Sequence, residues 1–230
     1  RAMQFGPDGK SLVGYDPTNG KFLRYNPDGT TTAMTDAAFP NARDIVWAPD
    51  SNKVIVTFPD NTNVYYNFKT KKQITFPSHW KEFEFSSDSN KLAFKNMQLD
   101  RENRWVTVTN DDGSAGRTIA PIGDNSDNIS IMWSPDSRVV GNYRESIDFD
   151  RQYLIFIGQN QENLPSTIIE GRGFDGKYTP DGSNLLYSVY SSFTDLKPNL
   201  WFVTASGDQT GLLRVNLELN TWVDKCAFAT

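Results

Sequence analysis

The sequence predicts an all-β fold made of repeated four-stranded units. Five times, an aromatic residue is followed at a fixed offset by an acidic turn and then an apolar run. The aromatic residues stand at positions 5, 47, 85, 133 and 178, which gives spacings of 42, 38, 48 and 45 residues. Spacings of about 40–50 residues are typical of a blade of a β-propeller. No stretch carries the i, i+3, i+4, i+7 apolar pattern of a long helix. The five copies are Phe5–Lys10, Trp47–Asn52, Phe85–Asn90, Trp133–Arg138 and Tyr178–Ser183.

Each copy can be divided into the elements of one blade. The aromatic residue ends a first strand, and Pro-Asp-Gly or Pro-Asp-Ser forms the turn, because Pro presets φ and Asp bonds to nearby backbone. A second, apolar strand follows, and alternating β-branched and aromatic residues indicate a third. A polar turn and a short fourth strand complete the unit. Third strands are predicted at 21–25, 63–67, 105–108, 153–157 and 200–203.

These copies predict one β-propeller domain over 1–230, with blades at about 1–42, 43–80, 81–128, 129–173 and 174–217, and a partial blade at 218–230. Phe228 stands 50 residues after Tyr178, where a sixth aromatic residue is due. Residues 218–230 are therefore expected to supply the first strand of a sixth blade. Either that strand pairs with the N-terminal segment, or the span is part of a longer ring. We favour the longer ring because nothing before Phe5 could supply the three missing strands.

Composition narrows the function classes. The net charge is −5 and the sequence pI about 4.9, and Lys and Arg form no run, so the basic footprint of a nucleic-acid-binding protein is absent. No apolar stretch approaches the ~20 residues that span a bilayer. The single cysteine, Cys226, allows no disulfide within the chain and no multi-cysteine metal site. Whether Cys226 pairs with another chain is open, as is the oligomeric state.

The repeated motif resembles the WD40-like repeat of TolB-type β-propellers. The resemblance rests on the aromatic residue, the Ser/Ala-Pro-Asp-Gly/Ser turn and the apolar strand, in five copies over nearly the whole chain. The third copy has Ser87 where the others have Pro. Related repeats occur in the propellers of tricorn protease and of the prolyl oligopeptidase and dipeptidyl peptidase enzymes. The resemblance implies a bacterial binding protein in the periplasm or outside the cell.

Residues that recur once per blade are interpreted as structural. One aspartate in every turn is what a repeated turn requires, whereas a single active site requires an exception. The motif aromatics are expected to pack between neighbouring blades. The repeated aspartates are Asp8, Asp50, Asp88, Asp136 and Asp181, and the aromatics are Phe5, Trp47, Phe85, Trp133 and Tyr178.

Catalytic motifs are scarce. The chain has no G-x-S-x-G motif, and a Ser-His-acid triad would have to use His79, the only histidine. His79 lies in a link between predicted blades, where a surface or packing role is the commoner one. A histidine-based zinc site needs at least two histidines. We therefore predict no catalytic residue, no metal site and no cofactor.

The loops that differ between copies are the better guide to binding. The loop between the second and third strands is short in the first two blades and longer in the next three, at 97–104, 143–151 and 190–198. Insertions on one face of a repeat array often mark the binding face. Arg and aromatic side chains are enriched at interfaces, and the link at 79–80 should reach the same face. The predicted binding residues are His79, Trp80, Asp100, Arg101, Arg104, Tyr143, Arg144, Asp148, Phe149, Asp150, Arg151, Tyr190, Phe193 and Asp195.

Two functions remain compatible with the sequence. The first is a noncatalytic propeller that docks a protein or a glycan on the long-loop face, with the arginines as donors and the aromatics as anchors. The second is the propeller domain of a larger hydrolase or polysaccharide lyase whose catalytic part lies outside the span. As an alternative to the docking function, the charged side chains of the loops could form salt bridges with one another and bind no partner.

Overall fold

The computed structural model describes residues 3–161 and 164–228. Within them, the chain folds into five sheets, each of four antiparallel strands in sequence order. The helical elements of these residues are five 3-10 turns of three residues each, at Arg101–Asn103, Ser126–Asn128, Ser192–Thr194, Gly207–Gln209 and Val223–Lys225. The prediction of an all-β chain of four-stranded antiparallel units is confirmed.

The chain divides into two compact units between Gly123 and Asp124. The first unit holds three sheets. Their strands are β1 Met3–Phe5, β2 Leu12–Asp16, β3 Lys21–Tyr25 and β4 Thr31–Ala33; β5 Asp44–Trp47, β6 Lys53–Thr57, β7 Asn63–Asn67 and β8 Lys72–Phe76; and β9 Trp80–Phe85, β10 Lys91–Asn96, β11 Trp105–Asn110 and β12 Arg117–Pro121.

The second unit holds two sheets. The strands of the fourth sheet are β13 Ile129–Ile131, β14 Val139–Ser146, β15 Arg151–Gly158 and β16 Ser166–Glu170, and those of the fifth are β17 Arg172–Tyr178, β18 Asn184–Tyr190, β19 Asn199–Thr204 and β20 Arg214–Asn216. The expected first strand of a sixth blade is not present in the described part of 218–230. A 3-10 turn at Val223–Lys225 lies there instead, and its Val223 is buried against Leu186 and Leu200 of the fifth sheet.

In each unit the core lies between successive sheets. Second strands such as β6 bury consecutive side chains, because both faces of the sheet are covered. In the first unit, Trp47 packs edge-on against Phe22 of the preceding sheet, with ring centroids 5.2 Å apart. Phe85 lies in a cluster with Tyr65, also of the preceding sheet. The expectation that these motif aromatics pack between neighbouring sheets is therefore confirmed for both.

In the second unit, too, a motif aromatic packs between successive sheets. In the first unit, one motif aromatic is exposed instead. Tyr178 lies in a core cluster with Leu154 and Phe156 of the fourth sheet. Phe5 is 65% exposed, whereas Trp47 is 8% exposed. The packing role expected for the motif aromatics therefore does not hold at Phe5.

The repeated aspartates close the motif turns, as predicted. In the first copy, Asp8 Oδ1 accepts from the backbone N–H of Lys10 at 3.0 Å and of Ser11 at 2.8 Å. In the last, Asp181 Oδ1 accepts from the N–H of Ser183 at 3.1 Å and from the hydroxyl of Thr179. Equivalent bonds occur at Asp50, Asp88 and Asp136. Bonds from the Ser11 and Lys10 amides lower the pKa of Asp8 to about 2.

Candidate functional site

The predicted binding residues fall into both units. His79, Trp80, Asp100, Arg101 and Arg104 belong to the first, and the other nine belong to the second. In the first unit the link at His79 and the loop at 97–104 are brought together, because Met97 donates its N–H to the carbonyl of His79 at 2.8 Å. The two groups are considered separately below.

Trp80 is a packing residue and not a free anchor. It begins β9, and its ring stacks on Phe94 with centroids 4.0 Å apart and planes 23° apart. The ring centroid of Phe76 lies 5.2 Å from that of Trp80. Asn63 holds the preceding link in place through bonds from its side-chain amide to the carbonyls of Pro77 and Trp80. The backbone of the link is therefore held by hydrogen bonds, and Trp80 packs against the core of the first unit.

The third-blade loop is closed by its own polar groups. Asp100 caps the 3-10 turn at Arg101–Asn103 by accepting from the N–H of Glu102 at 3.1 Å. Arg104 donates to the carbonyls of Gln98, Leu99 and Gly123. Leu99 at the tip of the loop is fully exposed. The guanidinium of Arg104 therefore holds the loop in shape, and the apolar tip is what the loop presents to solvent.

The prediction of a nine-residue loop at 143–151 is wrong. β14 and β15 extend through most of that stretch, so Tyr143 and Arg144 lie in β14, Arg151 lies in β15, and only 147–150 form the turn. The strands lengthen because their pairing continues from Tyr143 opposite Ile155 to Ser146 opposite Gln152. Polar and charged residues such as Arg144 and Glu145 are compatible both with a loop and with the exposed end of a hairpin strand.

Arg144 is also held internally. Its guanidinium donates to the hydroxyl of Ser130 at 2.8 Å and to the carbonyl of Asp127 at 2.5 Å, and it lies 5.9 Å from the ring centroid of Phe174. Tyr143 is half-buried on the same strand. Tyr190, at the end of β18, packs against Trp222 and over Gly173, where an added Cβ would lie 2.3 Å from its ring. Arg144 and Tyr190 therefore make contacts within the second unit, and Tyr143 is partly covered.

The turn at 147–150 is tightly bonded and exposes a phenyl ring. The Arg151 guanidinium bonds the Asp148 carboxylate, with Nη2 2.6 Å from Oδ2, and this bond lowers the pKa of Asp148. Arg172 lies 5.0 Å from the ring centroid of Phe149 and donates to the carbonyls of Phe149 and Asp148. Phe149 is nonetheless 65% exposed. The ring is thus held in one position by groups that leave its outer face open.

Arg172 was not among the predicted residues. It begins β17 and reaches back 23 residues to the preceding turn, a contact that no sequence spacing indicates. The sequence feature that comes closest to indicating this contact is the pair of glycines on either side of Arg172. Gly171 and Gly173 both have positive φ, and both approach the Val189–Tyr190 segment closely.

The loop at 191–198 is also held in shape by hydrogen bonds. Thr194 closes a capping box with Ser191, accepting its N–H at 3.0 Å, and donates to the carbonyl of Lys197 at 2.7 Å. Asp195 and Leu196 both have positive φ, at 53° and 56°. Left-handed backbone at two successive non-glycine residues costs roughly 1–2 kcal/mol each. The loop bears this strain while presenting Phe193, 89% exposed, and Leu196, 62% exposed.

One contact joins the two loops of the second unit. The carboxylate of Asp150 accepts from the N–H of Ser192 at 2.9 Å and from its hydroxyl at 2.5 Å. Phe149 and Phe193 directly adjoin the two residues of this contact. We call the four exposed apolar side chains of these loops the loop patch; they are Ile147, Phe149, Phe193 and Leu196.

The described residues bring no three of His, Cys, Asp and Glu together in a group that could hold a metal ion. Among the same residues no helix is long and apolar enough to cross a bilayer. Cys226 is a free, half-buried thiol.

Comparison with solved structures settles the fold. The propeller domain of the trilobed protease of Pyrococcus furiosus superimposes with a TM-score of 0.54 at 16% identity, over 76% of this chain and 56% of that one. The putative TolB of Agrobacterium tumefaciens gives 0.51 at 14% identity, over 76% and 62%. An oligogalacturonate lyase in complex with manganese gives 0.60 at 13% identity, over 93% and 63%.

The chain has a β-propeller fold, similar to those of the trilobed-protease propeller and of the putative TolB. The propeller spans less than two thirds of each of these three structures. No protein-family model matches its sequence, and no curated protein matches it. At sequence identities of 13% to 16%, the similarity to these three structures establishes the fold alone.

Proposed function

We propose that this propeller is a noncatalytic module that docks a protein partner through the loop patch. The observation that carries the proposal is the exposure of Phe193 and Phe149, 89% and 65%, on loops that hydrogen bonds hold in fixed shape. Large aromatic side chains in fixed positions are the usual energetic anchors of protein interfaces, because little conformational freedom is lost on binding.

The choice of a protein over an acidic glycan rests on the arginines. Arg144, Arg151 and Arg172 already bond to Asp127, Asp148 or neighbouring carbonyls, so their guanidinium groups hold the loops in place. The loops also expose the apolar side chains of Phe193, Phe149 and Leu196. An apolar surface bordered by charged groups that are already paired fits a protein surface better than an anionic sugar.

The resemblance to TolB-type propellers supports a location in the bacterial envelope. The alternative function, as the propeller domain of a larger hydrolase or lyase, stays a prediction. In that case too the loop patch would serve docking, against another domain of the same protein.

The test is affinity capture with the purified chain and two variants. Phe193→Ser removes the most exposed anchor, and Leu212→Ser is the matched control, because Leu212 is 71% exposed at the opposite end of the same sheet. We expect an envelope protein that is captured by the wild type and the control but lost with Phe193→Ser. With that protein purified, loss of one anchor of about 2 kcal/mol should weaken the Kd about 30-fold by titration calorimetry.

Equal capture by all three baits would refute the assignment of the loop patch. Capture that survives proteinase treatment of the extract would show that the ligand is a glycan and not a protein.

A further inference from the structure

The third strand of the first sheet carries an arginine where other sheets carry an apolar residue. Strand pairing places the motif aromatic Phe5 opposite Leu12, and Leu12 opposite Tyr25. Arg24 immediately precedes the end of this row. The residues reached by the same pairing are Tyr65 in the second sheet, Val108 in the third and Phe202 in the fifth. The first two of these are only 1% and 4% exposed. Arg24 is therefore an exception at a position that otherwise serves packing.

Arg24 lines a pocket between the first and second sheets, both of which belong to the first unit. Phe22, two residues earlier on the same face of β3, packs against Phe68 of the second sheet with ring centroids 5.2 Å apart. Thr32 of β4 lies opposite Arg24 and shares this face. The pocket has a volume of about 210 Å³ and opens to solvent, and Lys69 lines its other side beside Phe68.

The pocket is positively charged in a protein that is negatively charged overall. Arg24 and Lys69 are its two charged lining residues, whereas the chain has a net charge of −5. Among the described residues, neither of these side chains donates a hydrogen bond. Asp8 Oδ2 lies 3.9 Å from Arg24 Nη1, which is longer than a hydrogen bond, and the other oxygen of this carboxylate is already bonded within its own turn. The N–H groups of both cations therefore face the pocket without an acceptor from the protein.

We propose that this pocket binds a small molecule in which an oxyanion, a carboxylate or a phosphate, is attached to an apolar or ring-shaped body. The planar fork of N–H groups on Arg24 matches two oxygens of either anion, and Lys69 supplies a second positive charge. The hydroxyl of Thr32 can donate to a third oxygen. Phe68 and Met34 form an apolar wall for the body of the ligand. The pocket shares no residue with the loop patch, so this proposal is independent of the docking function.

The test is titration of the isotope-labelled chain, followed by the NMR signals of the backbone amides of Thr32, Met34 and Lys69. The probes are phenyl phosphate, inorganic phosphate, benzoate and acetate, all at constant ionic strength. We expect saturable shifts at these amides, and the probes with a ring should bind about threefold more tightly than those without one, because the ring contacts the apolar wall. The better of phenyl phosphate and benzoate identifies the anion that the pocket prefers.

Two variants assign the binding to the two cations. Arg24→Met keeps much of the apolar stem and removes the fork, so the Kd should rise about tenfold. Lys69→Met removes an exposed charge and should raise the Kd about threefold. Lys71→Met is the matched control, because Lys71 is an exposed lysine of the same turn and does not line the pocket. Its Kd should equal that of the wild type.

The amide spectrum away from the pocket shows directly whether each variant is folded. Lys69 lies in an exposed turn, so its variant carries the test if Arg24→Met does not fold. The proposal would be overturned if the wild type showed no saturable shift up to about 50 mM probe, a range that includes weak millimolar binding. It would equally be overturned if a folded variant at Arg24 or Lys69 bound like the wild type, or if chloride produced the same shifts at the same concentrations. Equal Kd values with and without the ring would remove the apolar part of the assignment.

Discussion

Two buried tyrosines should respond in opposite directions to removal of the hydroxyl group. Tyr187 is fully buried in the second unit between Phe174 and Trp201, and its hydroxyl has no hydrogen-bond partner among the described residues. Burial raises its pKa. Tyr65, 1% exposed in the first unit, donates to the carboxylate of Asp111 at 2.7 Å. The substitution to phenylalanine keeps the ring in both cases, so only the hydroxyl is tested.

The magnitudes follow from the partners. A buried hydroxyl without a partner costs about 1–3 kcal/mol, so Tyr187→Phe should stabilise the protein by about 1 kcal/mol. A hydrogen bond to a charged group contributes about 1.5–3 kcal/mol, so Tyr65→Phe should destabilise it by about 2 kcal/mol. At roughly 2–4 °C per kcal/mol for a chain of this length, calorimetry should show Tm higher by about 2–4 °C for Tyr187→Phe and lower by about 4–8 °C for Tyr65→Phe. A fall in Tm for both variants would refute the reasoning.

Three further outcomes are expected. Two of the turn aspartates have a pKa lowered from 3.8 to about 2: Asp8, mainly by the backbone amides of Ser11 and Lys10, and Asp181, mainly by the hydroxyl of Thr179. The stability that these two carboxylates give is therefore present above about pH 4 and lost as the pH falls toward about 2, and Asp181→Asn should flatten this loss in urea titrations. Trp80→Ala removes the ring stacked on Phe94 and should cost about 3 kcal/mol in the free energy of unfolding. Leu196→Gly relieves a positive φ and should keep or raise the Tm, while calorimetry shows weaker binding of the captured partner.

The repeat made the architecture predictable. A proline or glycine turn closed by an aspartate is a local device, so Asp8 and Asp181 could be placed in turns without knowledge of the rest of the chain. Strand order followed as well, because four short strands joined by tight turns pair in sequence order. The packing of Trp47 between successive sheets follows from the same periodicity.

The site was less predictable because its contacts are not local. Arg172 holds Phe149 from the next sheet along the chain, and the sequence gives no distance between them. The length of the turn at 147–150 depends on how far two strands continue to pair, and charged residues such as Arg144 are compatible with either strand or loop. Trp80 looked like an exposed anchor because its stacking partner, Phe94, lies on another strand.

The hydrogen bonds between Asp150 and Ser192 connect two loops that are 42 residues apart in the chain, so the two loops keep a fixed position relative to each other. A change at position 192 that removes the hydroxyl should therefore alter the presentation of Phe149 as well as Phe193. Among related sequences, an acidic side chain at the first position and a hydroxyl at the second are expected to covary. Any redesign of the loop patch has to exchange both hairpins together.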